Sequence, residues 1–80
     1  MKLWRIFQTV NHNYDSWDSA VVAADTETEA RKTHPGGPSY AGRPFNADEW
    51  AKLEDVQCVC IGEAAEWVEP GVIVASFNAG

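Results

Sequence analysis

Four short runs rich in β-branched and aromatic residues, at 2–10, 19–24, 55–61 and 72–77, commit this chain to a sheet. In the first run Trp4, Ile6 and Val10 share one face, and Leu3 and Phe7 share the other. Apolar groups on both faces suit a strand inside a sheet rather than at its edge. Residues 11–18, NHNYDSWD, are turn formers with two aromatics and read as a loop. The first two runs are therefore expected to pair as an antiparallel hairpin. In the third run Val56, Cys58 and Cys60 face one way and Val59 and Ile61 the other, with Gly62 breaking the strand. Glu69-Pro70-Gly71-Val72 fits a type II turn into the last run.

The helical signals are brief. Thr26-Glu27-Thr28-Glu29 matches a capping box, with acids in the first turn and Arg31, Lys32 and His34 in the last. This predicts a helix over 26–34, with Ala30 as its clearest apolar position, His34 capping its C-terminus, and Pro35 and the glycines after it ending it. Residues 35–44 hold three of the four prolines and three of the six glycines, and read as a loop. Asn46 then caps a second helix over 47–53, in which Glu49 is the third helical residue and Phe45 staples against Trp50. Residues 63–68 fit a helical turn or an extended segment, and the turn is the preferred reading. The expected order is β-β-α-α-β-β. It makes an α+β fold: a small antiparallel sheet of about four strands with short helices packed on it, in one domain over 1–80.

Six basic and twelve acidic side chains give a net charge of -6. That sign repels nucleic acid and anionic lipid, so direct nucleic-acid or membrane binding is not expected. The N-terminal MKLWRIFQTV lacks the continuous apolar run of a signal peptide or membrane span, which points to the cytoplasm. Cys58 and Cys60 are one residue apart; in a strand their Cα atoms lie about 7 Å apart, the far limit for a disulfide. They read as reduced thiols packed as small hydrophobes. Zinc sites space paired cysteines more widely and add a second pair, whereas His12 and His34 fall in separate loops, so no metal is expected. No nucleophile stands beside a base, and the glycine-rich loop follows a helix instead of preceding one, so it is no phosphate cradle. The chain reads as a binding protein with no cofactor, not an enzyme.

Its charge is segregated. Residues 1–46 carry five acids and five bases, whereas 47–80 carry seven acids and Lys52 alone. Asp48, Glu49, Glu54, Asp55, Glu63, Glu66 and Glu69 are the candidate partner-binding residues, expected to gather in one exposed patch. Trp67, set among these glutamates, has the composition of an interface anchor. Trp17, between Ser16 and Asp18, is a weaker candidate. Such a surface suits a basic protein groove and would compete with nucleic acid for it. A monomer is expected.

Residues 19–35, SAVVAADTETEARKTHP, and 61–80, IGEAAEWVEPGVIVASFNAG, resemble segments of short uncharacterised proteins of bacteria and their phages. In size, acidity and cytosolic character the chain is also similar to small anti-CRISPR proteins. That resemblance implies an inhibitor, working in the bacterial host cell, whose acidic surface occupies the DNA-binding channel of a type I CRISPR effector complex. It implies steric and electrostatic exclusion of target DNA, with no chemistry. The other expectation is a structural or accessory phage protein acting by self-association or protein–protein contact.

Overall fold

The computed structural model describes residues 1–79. Four antiparallel strands, β1 (Lys2–Phe7), β2 (Ser16–Ala24), β3 (Gln57–Glu63) and β4 (Gly71–Asn78), form one sheet in the order β3-β1-β2-β4. The hairpin of β1 and β2 is its centre, as the two-faced apolar pattern of β1 requires. β2 begins at Ser16, so Trp17 is a strand residue opposite Phe77 and the hairpin loop lies over residues 8–15, shifted toward the N-terminus from the expected 11–18. β3 runs through Gly62, which pairs with Leu3, to Glu63; Ile61 bulges out between two register positions instead. Pro70 stands at a bend, and Gly71, at φ 126°, already pairs with Ala23 as the first residue of β4.

One face of the sheet is covered. Ile6, Ala20, Val22 and Ala24 pack there against Ala30, Trp50, Ala51 and Val56. The sheet residues are mostly alanine and valine, so the covering segments approach closely. Helix α1 (Glu27–Lys32) is the first of these. Thr26 caps it by accepting from the Glu29 amide at 3.2 Å, as the capping box predicts. At its other end the Thr33 amide donates to Ala30 and the Thr33 hydroxyl donates to the Glu29 carbonyl at 2.9 Å. His34 therefore does not cap the helix. Its Nδ1 accepts from the Gly36 amide at 2.9 Å. A short 3-10 turn at Pro38–Tyr40 follows.

The second expected helix does not form, so the order β-β-α-α-β-β is not the observed one. Asn46 does cap a turn, accepting from the Asp48 amide at 2.9 Å, and the amides of Glu49 and Trp50 reach the Asn46 carbonyl. The helix then stops because its next carbonyls are taken. In a helix over 47–53 the carbonyls of Ala47, Asp48 and Glu49 would accept from residues 51–53. Here the Asn11 side chain donates to Ala47 at 2.8 Å and to Asp48 at 3.0 Å, and the Trp17 amide donates to Glu49 at 2.9 Å. The chain turns inward to bury Trp50 and Ala51, and a 3-10 turn at Leu53–Asp55 leads into β3.

Asn11 is held by Gln8, which is 5% exposed. Gln8 Oε1 accepts from the amides of Val10 at 2.8 Å and Asn11 at 2.7 Å. Gln8 Nε2 donates to the carbonyls of Asn11 at 2.6 Å and Trp17 at 3.1 Å. Every donor and acceptor of this buried amide is satisfied, and the pair ties the hairpin loop to residues 47–48. Asn11→Ala would leave two carbonyls short of a donor and should destabilise the fold by about 2–3 kcal/mol in urea denaturation. The exposed neighbour change Val10→Ala should stay within about 0.5 kcal/mol.

Candidate functional site

The register decides where the acids fall. Phe7 pairs with Gln57 and Lys2 with Glu63, so the two ends of β3 lie about 20 Å apart at opposite ends of β1. Asp48 and Glu49 sit in the turn bonded to Asn11 and Trp17, at the hairpin-loop end. Glu54 and Asp55 lead into Gln57 at that same end. Glu63, Glu66, Trp67 and Glu69 belong to the opposite end, where β3 leaves the sheet and crosses toward β4. The candidate residues therefore form two groups rather than one patch. Asp15 and Asp18, from the first half of the sequence, join the hairpin-loop group; Asp25, paired with the Met1 amine at 3.8 Å, joins the other.

Glu54 pairs with Lys52 at 3.9 Å, but the other six acids among the candidates make no ion pair among the described residues. Glu49 is partly buried; the rest are exposed. Lys2 lies across from Glu63 and offsets part of its charge. Trp67 is 84% exposed. It occupies the apex of a turn closed by the Val68 amide on the Ala65 carbonyl at 3.0 Å, so its indole projects away from the sheet. Glu66 is the other apex residue. This is one turn over 65–68 with no continuing helix, and Glu63, expected in a turn over 63–68, belongs to β3.

Trp17 is partly buried against the core. Its ring lies edge-on to His34 and to Tyr40, with both centroids 5.1 Å away, and is tilted against Phe77 at 4.7 Å. His34 and Tyr40 stack in parallel at 4.5 Å. Cys58 is partly buried against the core and Cys60 is exposed, so only the first packs as a small hydrophobe. Burial pushes the Cys58 thiol up, and Glu27 adds to it. Among the described residues no group of three or more His, Cys, Asp or Glu is placed to hold a metal ion, and no helix is long and apolar enough to cross a membrane.

Under the sheet, between α1 and the 37–56 segment, lies a half-open cavity of about 490 Å³. Arg31, His34, Tyr40, Arg43, Phe45 and Trp50 are among its walls. Sequence reasoning missed it because these residues are scattered over a helix end, a loop and a turn. The one available signal was the run of aromatic and basic residues around the glycine-rich loop. Comparison with protein-family models finds no matching family, and comparisons with curated proteins and with solved structures find no match.

Burial lowers the His34 pKa, and Arg43 adds to this while Glu49 works against it. The geometry agrees, since a protonated Nδ1 could no longer accept from Gly36. A histidine held neutral in the fold contributes stability above its ordinary value of about 6.5, and that contribution is lost as pH falls through the folded-state value. The melting temperature should therefore drop between about pH 7.5 and 5.5, and His34→Phe should reduce that drop. Equal drops in both proteins would contradict this role.

Proposed function

We propose that this chain is a small inhibitory binding protein of the anti-CRISPR kind that lies along an elongated basic channel and excludes nucleic acid from it. The observation that carries this reading is the pair of carboxylate groups about 20 Å apart at opposite ends of the sheet, one of them surrounding the exposed Trp67. Groups so placed suit a groove with Lys and Arg along its length better than a compact basic spot. The DNA-binding channel of a type I CRISPR effector complex has that form. The choice of this partner rests on the resemblance in size and acidity. Trp67 adds contact area with few rotamers to immobilise, as interface anchors do. The mechanism is steric and electrostatic and involves no chemistry.

Charge reversal separates the ends. Lysines at Glu63, Glu66 and Glu69, or in a second variant at Asp48, Glu54 and Asp55, should each weaken binding to the effector about tenfold or more and flatten its salt dependence. Trp67→Ala should cost about 2 kcal/mol of binding while leaving the melting temperature unchanged, because the indole packs on nothing in the fold. Full inhibition by a protein carrying both lysine sets would rule the reading out.

One observation favours self-association instead. The face of the sheet opposite α1 carries Val59 and Val74, each at least half exposed, in one row with Arg5 and Val21, and among the described residues no element covers it. The strand edges are less suited to pairing, because Ile61 and Ile73 bulge from the two edge strands. Sedimentation at rising concentration should then show a dimer that Val59→Glu with Val74→Glu abolishes. A monomer at all concentrations would exclude this alternative.

A further inference from the structure

The cavity between α1 and the 37–56 segment has the attributes of a small-molecule site. Its volume of about 490 Å³ falls within the range of ligand pockets, roughly 300–1,000 Å³. Its lining reverses the charge of the whole molecule. Three of the chain's six Lys and Arg residues (Arg31, Lys32 and Arg43) border it, against one of twelve acids, Glu49. In a protein of net charge -6 this is a local excess of basic side chains, which favours anions.

The two arginines differ. Arg31 is already engaged, with one nitrogen on the Val56 carbonyl and another on Glu27. Arg43 lies over the Tyr40 ring at 4.5 Å and makes no ion pair among the described residues. Glu49 is near enough to influence His34 yet does not reach Arg43 to pair with it. The Arg43 guanidinium therefore keeps its in-plane donors available to an anion while its face rests on an aromatic ring. The remaining walls supply the apolar part. Trp50 closes the interior, and Phe45 and Leu53, 57% and 49% exposed, stand at the rim with their apolar surface uncovered.

We propose that this cavity binds a small molecule made of a flat ring bearing one anionic group, with the anion on Arg43 and the ring against Phe45 and Trp50. Nucleoside monophosphates and aromatic carboxylates share that chemistry. The site shares only Glu49 with the acidic ends of the molecule, and both lysine-substituted variants keep Glu49, so its occupancy and the docking of a protein partner can be tested separately.

The test is titration of the isotope-labelled full chain, followed by amide chemical shifts, with five probes: adenosine monophosphate, uridine monophosphate, indole-3-carboxylate, adenosine and inorganic phosphate. A phosphorylated or carboxylated ring should shift the amides of residues 40–50 saturably, and which of these binds tightest distinguishes the two anion types. Adenosine and phosphate should each bind at least about tenfold more weakly than the ring-bearing anions, since each lacks one half of the match. Arg43→Ala should weaken binding about 10- to 100-fold, Arg43→Lys less, and Phe45→Ala several-fold. Both side chains are exposed, and the unchanged shift dispersion of the variants checks their fold. The proposal is overturned if no ring-bearing anion shifts these amides at millimolar concentration. Binding of phosphate or adenosine as tight as that of the monophosphate, or binding indifferent to Arg43→Ala, overturns it equally.

Discussion

Two buried amide side chains organise the half of this protein that the sheet alone does not. Gln8 follows directly on β1 and Asn11 lies three residues later, and between them they hold seven hydrogen bonds to backbone groups of the hairpin loop, Trp17 and residues 47–48. An apolar side chain at either position would strand several backbone groups away from water, at a cost comparable to much of a small domain's stability. The same bonds decide the path of the chain after Asn46. By occupying carbonyls that a helix would use, they turn Trp50 and Ala51 into the core and leave the 37–45 loop standing away from the sheet, with the cavity beneath it.

The sheet order then distributes the charge. β3 and β4 are joined by residues 64–70, which must cross from one edge of the sheet to the other past β1 and β2. That crossing carries Glu66, Trp67 and Glu69 at one end, while the segment entering β3 carries Glu54 and Asp55 at the other. Acids that are contiguous in sequence are thereby separated in space. Asp15 and Asp18, from the electrically balanced first half, are brought to the hairpin-loop end. The basic residues of the middle segment are drawn under the sheet instead, where α1 ends and the loop folds back.

Local signals proved legible where the physics is local. The Thr26 cap and the four strands rest on neighbours within a few residues, and so they can be read from the pattern, whereas the helix ends at Lys32 with Thr33 as its cap, short of the expected 34. The antiparallel pairing of β1 with β2 followed from their apolar faces. The helix over 47–53 misled because its local propensity is sound, and the groups that interrupt it lie 30 or more residues earlier in the chain. Trp17 and His34 read as a loop residue and a cap for the same reason, since only the tertiary fold places Trp17 against Tyr40 and Phe77 and His34 against Trp17 and Tyr40. Composition revealed the acidity of the second half but could not show its division, which depends on strand order.

Native-state hydrogen exchange tests most directly whether the Gln8 and Asn11 contacts are integral to the fold. The amides of Asn11, bonded to Gln8, and of Trp17, bonded to Glu49, are the ones to follow across a denaturant series. If the account is right, they exchange only through global opening, with the same free energy and denaturant slope as the central amides of β1 and β2. Rapid, denaturant-independent exchange at Asn11 and Trp17, with β1 and β2 still protected, would show that the clamp opens on its own and that something else shapes the 46–50 turn.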